Sequence, residues 1–311
     1  MAKNWSNLPL IFKQDVVKYL NFKDRCYLQQ VSKAEIDLVK TVPIYLMDIG
    51  FNYGDEGIEL RCQEHPVITN GLVNIKQYIS KNDMIVSRFL AIFEHPKSTV
   101  DSVNLSFFHK NSKIPSMILE WHGELQKRPD TFRIKAKNLN WYCEDSVDCF
   151  LDILNRFDTR TLKGLQLDCP IALEQLQRVI KTEVVRNLES FALGSSCSNG
   201  FSVMELFIGN HIDLFLRKIT PEDIWSVIKN FRSAPRPYGS YFFFFNYQPN
   251  FEIIEIEEVV KMFDEPSNNF ADFQNQRTRH IQIFKMENGN GFLKVEITSQ
   301  SIRGTVTEKK N

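Results

Sequence analysis

The sequence carries no surplus charge: 38 Lys and Arg residues balance 38 Asp and Glu. That excludes the net electrostatic field by which a chain is drawn to nucleic acid or to an anionic membrane. Long hydrophobic runs are missing as well. The longest aromatic run, Tyr241 to Phe245, falls far short of the roughly 20 apolar residues a membrane span needs. The apolar Leu8 to Phe12 stretch is broken at once by Lys13, Gln14 and Asp15, too early for a secretory leader. Neither membrane association nor secretion is expected. Cysteine is sparse: Cys26, Cys62, Cys143, Cys149, Cys169 and Cys197 are scattered without disulfide-framework spacing, which fits a reducing cytoplasmic or nuclear setting.

The motifs of common chemistry are also absent. A structural zinc site wants two ligands leaving one tight turn, but Cys143 and Cys149 are six residues apart and there is no CxxC or HxxxH. Phosphate-cradling GxGxxG and GxxxxGK[ST] loops and the GxSxG nucleophile elbow do not occur. The six histidines, at 65, 95, 109, 122, 211 and 280, share no motif. Ser195-Ser196-Cys197-Ser198 after Gly194 reads as a small polar loop rather than a reactive thiol, since no basic neighbour is evident to activate one. No catalytic residue, metal or cofactor is expected.

What the chain does have is apolar content enough for a large core, 43% hydrophobic against 24% charged over 311 residues, and room for one small and one larger domain. Its first 50 residues read as three short helices. Leu8-Pro9 sets a helix start, with Phe12, Val16, Val17, Tyr19 and Leu20 following at helical steps. Asp24 lies near a second start, ahead of Cys26, Leu28 and Val31. Ser32 with Glu35 forms a capping box opening a third helix, and Pro43 closes the unit. So small a helical unit cannot enclose every apolar side chain it carries. Leu8, Pro9, Phe12, Val16, Val17, Leu20, Leu28 and Val31 are the candidates for a partner interface.

Trp5, Leu8-Pro9, Val16, Leu20, Phe22-Lys23-Asp24-Arg25, Leu28, Val31-Ser32-Lys33 and Val39 together resemble an F-box. The resemblance implies docking on a Skp-type adaptor, and through it on the cullin of a ubiquitin ligase.

Beyond this unit, residues 51–100 read as a junction and the start of a second domain, with a turn-rich FNYGDEG at Phe51 to Gly57, short strands near Ile58 and Gly71, and a helix from Asn82 to His95. From residue 101 to 304 strand and helix alternate. Strands are expected at Ser102–Phe108, near Thr131, at Leu162–Cys169 and at Leu188–Leu193, and helices from Ile114, Ser146 and Ala172. Such alternation calls for parallel strands joined by crossover helices. Thr220-Pro221 caps another helix. The aromatic strand from Tyr241 is expected to be covered on both faces, and Asn-Gly pairs at Asn288 to Gly291 mark a closing hairpin. Residues 305–311 are expected to be a frayed polar tail. The fold class is therefore α+β: a three-helix F-box, then an irregular βα-repeat domain of leucine-rich-repeat type ending in a β-hairpin.

Phe157 to Cys169, the helix that follows to Leu193, the Thr220 to Phe231 helix and the Ile-rich hairpin are similar to the FTH-type, F-box-associated domain of a large nematode family. That resemblance implies a protein cargo held by the second domain and no chemistry of the chain's own. The alternatives are a βα-repeat binding module acting outside a ubiquitin ligase, and an enzyme with an unrecognised site. Two charged clusters read as bland surface: the four glutamates between Glu252 and Glu258 as a solvated helix face, and Phe273 to His280 as a linker.

Overall fold

The structure, a computed structural model, describes residues 5–308 apart from 56, 66, 70–71, 75–76, 81–84, 109–113, 144–149, 195–202, 217–218, 247–253, 255, 265–278 and 289–290. Cys149, Cys197, the Ser195 to Ser198 loop, His109, Glu252, Glu255, the Phe273 to Thr278 stretch and the Gly289-Asn290 turn lie outside the described residues. The chain forms two compact units, Met1–Leu162 and Lys163–Asn311.

The first unit opens with helices α1 (Leu10–Tyr19), α2 (Phe22–Leu28) and α3 (Lys33–Lys40). Strands β1 (Tyr45–Gly54) and β2 (Gly57–Gln63) follow, then β3 (Val67–Thr69), β4 (Leu72–Asn74), β5 (Gln77–Ser80), helix α4 (Ile85–Ala91), β6 (Thr99–Phe107), α5 (Ile114–Gln126), β7 (Ala136–Cys143) and α6 (Phe150–Leu154). β1 lies between β2, antiparallel to it, and β6, parallel to it. β7 extends the parallel run beside β6, β5 pairs antiparallel with β2, and β3 and β4 form a separate hairpin.

The stretch from Phe51 to Gly57, expected as turn-rich, is thus mostly strand. β1 runs through it to Gly54, and the turn is confined between Gly54 and Gly57, which pair with each other. Gly57 sits at φ +109°, a conformation that favours glycine. The strand expected near Thr131 begins instead at Ala136, because Ile134 is held by a bridge to Phe157 before regular pairing starts.

One face of this sheet is buried. Phe51, Phe107 and Trp141 from three strands meet Phe89, Trp121 and Phe150 from the helices, all fully or almost fully buried, with tilted or edge-on ring contacts of 4.8–5.7 Å. Edge-to-face geometry suits rings with negative faces and positive rims. The opposite face is polar: Asn140 donates to Asn104 Oδ1 at 2.6 Å, and Asn104 donates in turn to the Asp48 carboxylate. Burial raises the Asp48 pKa, and the Asn104 amide offsets part of that.

The second unit contains β8 (Gly164–Asp168), α7 (Leu173–Ile180), α8 (Glu183–Arg186), β9 (Ser190–Leu193), β10 (His211–Leu216), α9 (Pro221–Ser233), β11 (Tyr241–Asn246), α10 (Ile256–Lys261), β12 (Arg279–Lys285), β13 (Phe292–Thr298) and β14 (Ser301–Thr307). β8 to β11 are mutually parallel, as the alternation predicts. β14, β13 and β12 continue from β11 as antiparallel neighbours. The closing element is therefore three strands. Thr305 to Thr307, expected as a frayed tail, form the end of β14: all three pair with β13, and Thr305 also with Tyr241 of β11. The supposed linker at Arg279 and His280 is the start of β12, where Arg279 pairs with Glu296 at 2.7 Å and His280 is buried.

α9 starts as its sequence dictates, with Asp223 N–H donating to Thr220 Oγ1 at 3.1 Å and Thr220 N–H returning to the Asp223 carboxylate at 3.2 Å. It buries Phe231 against Phe242 at 4.9 Å. The aromatic strand is covered on one face rather than two. Phe242 and Phe244 are fully buried, whereas Tyr241, Phe243 and Phe245 are half-buried. On that second face they are shielded chiefly by one another and by β10: Phe215 meets Phe243 and Phe245 at 6.4 and 5.9 Å, and Tyr241 stacks on His211 at 5.0 Å while donating to Asp213 at 2.7 Å. Burial and the Asp213 contact push the Tyr241 phenol up to about 12. Gly304 on β14 lies against the Phe242 ring, so close that a Cβ would collide with it.

Candidate protein-interaction surface

The three N-terminal helices are set by their caps. Trp5 lies in a short 3-10 turn, Trp5–Asn7, and α1 begins directly after Pro9. Asn21, which interrupts the apolar pattern, is the N-cap of α2: its side chain accepts from Asp24 N–H at 2.8 Å. Ser32 caps α3, accepting from Glu35 N–H at 3.4 Å, and its hydroxyl donates to the Glu35 carboxylate. Glu35 also accepts from Trp5 Nε1 at 3.1 Å. These hydrogen bonds, that from Ser32 foremost, hold the Glu35 carboxyl below its usual range.

The helices close around Val17, Leu38, Val39 and Val42, with Trp5, Leu20 and Leu28 packed against them. Arg25 is buried and ties the corners: Nε donates to Leu20 O at 3.1 Å, one Nη to Pro43 O at 2.8 Å and the other to Lys18 O at 3.2 Å. Desolvation lowers its pKa, yet an arginine stays charged, and three backbone carbonyls solvate it here.

Outside this core several large apolar side chains are exposed among charged ones. Phe12 is 58% exposed, Val31 71% and Tyr19 92%, with Leu10, Ile11, Val16 and Tyr27 exposed beside them in sequence. A shallow hollow of about 250 Å³ is lined by Trp5, Val16, Leu20, Leu28, Val31 and Glu35. Of the eight candidates from the sequence, Pro9, Phe12, Val16 and Val31 are exposed, and Leu8, Leu20 and Leu28 are half-buried. Val16, Leu20, Leu28 and Val31 meet at the hollow, and Phe12 lies one turn before Val16 on the same helix. Val17 is the exception: it has no exposed surface and belongs to the helical core. Its neighbour Val16 takes the outward position, since adjacent residues on a helix point about 100° apart.

Leu10, Ile11, Tyr19 and Tyr27, exposed here, were not among the interface candidates. A signal was present, because three consecutive apolar residues, Leu10 to Phe12, cannot all lie on one buried stripe.

The histidines are dispersed. His65 and His122 each approach one carboxylate, Asp101 and Asp152, at 3.4 Å. His95 accepts from Lys97 N–H, and His211 stacks on Tyr241. Among the described residues no three His, Cys, Asp or Glu side chains are grouped to hold a metal ion. No helix among them is long and apolar enough to cross a membrane.

A family model of the F-box domain matches residues 5–47, which cover the three helices and their exit into β1. A model of the FTH domain matches residues 118–267. No curated protein and no solved structure matches the chain. The chain belongs to the F-box proteins that carry a C-terminal FTH domain.

Proposed function

We propose that this chain is a non-catalytic substrate-recognition subunit of an SCF-type ubiquitin ligase. Its helices, within residues 1–50, dock on a Skp-type adaptor and so reach a cullin, and the part that carries the FTH domain holds a protein cargo. The single observation that carries this reading is the exposed apolar surface of a helical unit whose own core is already closed: Phe12, Val16 and Val31 lie outside the Val17, Leu38, Val39 and Val42 cluster. Contiguous apolar surface of that kind marks a partner site. The contribution to ubiquitin transfer is proximity, which raises the effective concentration of a cargo lysine near the charged carrier. The chain works in the cytoplasm or the nucleus.

The test is co-purification of the full chain with a Skp-type adaptor. Capture is expected from the native chain, and replacing Leu8 and Pro9 together by alanine should weaken it while the rest of the chain keeps its fold. Undiminished capture by that variant would reject the assigned surface, and no capture by the native chain would reject the function.

A further inference from the structure

A polar cavity of about 370 Å³ in the first unit lies apart from the helical surface just described. Two arginines line it, and the backbone holds them side by side. Ile134 N–H donates to Arg156 O at 2.8 Å, and Asp158 N–H donates to Ile134 O at 3.0 Å. This bridge joins Ile134 to Phe157, both fully buried, so the residue before each of them is fixed in place. Those residues are Arg133 and Arg156.

Both guanidinium groups donate to backbone carbonyls of one loop, and Arg156 also forms an ion pair with the carboxylate of that loop's Asp130. Arg133 Nη1 donates to Phe132 O at 2.8 Å and to Asp130 O, and Arg156 Nη1 donates to Pro129 O at 3.2 Å. The nearest carboxylate to Arg156 is Asp130 at 3.6 Å, and that side chain is fully exposed. Asp152, also on the cavity wall, approaches His122 at 3.4 Å. A carboxylate standing in water neutralises little of the charge beside it. Two like charges, Arg133 exposed and Arg156 half-buried, thus line one cavity, with donors to spare: each guanidinium has five N–H groups in a fork matched to oxyanions. Gln126 and Asn155 add amide groups to the lining.

We infer that this cavity is an oxyanion site, in which Arg133 and Arg156 clasp a phosphate group between α5 and α6, the anion taking the place of Asp130 beside Arg156. Asp152 opposes the anion, so binding relies on the arginine pair outweighing it. The phosphate can be free or borne on a serine side chain of a peptide, since the recognising chemistry is the same.

The experiment follows melting of the full chain in titrations with inorganic phosphate and, separately, with a phosphoserine peptide and its unphosphorylated counterpart. A saturable rise in Tm with phosphate is expected. Arg133→Gln and Arg156→Gln should each weaken the apparent affinity about tenfold or more, the effect of losing charge-assisted hydrogen bonds. Asp130→Asn, at a position too exposed to disturb folding, should strengthen it. A phosphopeptide that binds more tightly than phosphate, with its unphosphorylated form inert, identifies a peptide-borne group; equal affinities identify the free anion. A response that does not saturate, or that is the same in the Asp130→Asn and arginine variants as in the native chain, would overturn the proposal.

Discussion

Ser98 Oγ accepts a hydrogen bond from the backbone N–H of Ile44 at 2.9 Å, and Thr99 N–H donates to Ile44 O at 3.0 Å. The segment leaving the F-box helices is thereby tied to the start of β6 in the same unit, and Ser98 has no exposed surface. Ser98→Ala leaves the part-buried Ile44 amide without this acceptor. The expected loss is about 1 kcal/mol, the low end of the cost of stranding a donor. Chemical denaturation of the two chains measures it, and equal midpoints would mean that another group or a water takes over the amide.

Neighbouring residues on α1 should behave oppositely. Phe12→Asp changes an exposed side chain, so the melting temperature should hold while adaptor capture falls. Val17→Asp buries a charge among Leu38, Val39 and Val42, and should unfold the helices and abolish capture together. If Phe12→Asp captured the adaptor normally, the exposed face of α1 would not be part of the interface.

The same contrast holds along β11. Phe244 is fully buried and Phe243 half-buried on the opposite face. Phe244→Asp should leave the chain insoluble, because an unpaired buried charge costs several kcal/mol. Phe243→Asp should give a soluble protein that melts cooperatively with a modest loss. Equivalent behaviour of the two variants would place both faces of β11 in the interior.

Acid should destabilise the second unit through His280. Its imidazole is buried on the inner face of β12, near Phe263, and burial lowers its pKa although Gln282 opposes the shift. With the folded value below the ordinary value of about 6.5, the neutral form stabilises the fold above that pH, and this contribution is lost as pH falls through the unfolded value toward the folded one. The half-exposed His95, lowered by desolvation and by Lys97 and Lys135, adds a smaller effect of the same sign in the first unit. Denaturation midpoints measured from neutral pH down to pH 5 should decline less in His280→Gln than in the native chain. Parallel declines would remove His280 from the account.

The elements most legible in the sequence were those with local chemistry at their ends. Ser32 with Glu35 and Thr220 with Asp223 announce α3 and α9, and both caps are made. The alternation of strand and helix gave the parallel run of β8, β9 and β11. β1 was not legible because its burial breaks step between Leu46 and Ile49 and leaves only Ile49, Phe51 and Tyr53 in alternation, and Gly54 with Gly57 of β2 reads as a turn. β10 shows clean alternation at Ile212, Leu214 and Leu216 but was passed over between a glycine-rich loop and a strongly capped helix. β14 was hidden by its composition: Thr305, Thr307 and Arg303 look like tail, and Gly304 is there because the Phe242 ring leaves no room for a side chain. For the interaction surface, the helices themselves were readable. Which of Val16 and Val17 faces outward was not, since that depends on where α3 packs.

The place of β14 between β11 and β13 has a consequence during synthesis. β11 is made some 60 residues before the strand that covers its edge, and throughout that interval its backbone donors and acceptors stand open beside Phe243 and Phe245. An unpaired aromatic edge is a template for association between chains. A ribosome that stalls after β13, or a protease that clips the chain before Ser301, would therefore release a molecule with complete F-box helices and a sheet prone to pair with a second copy of itself.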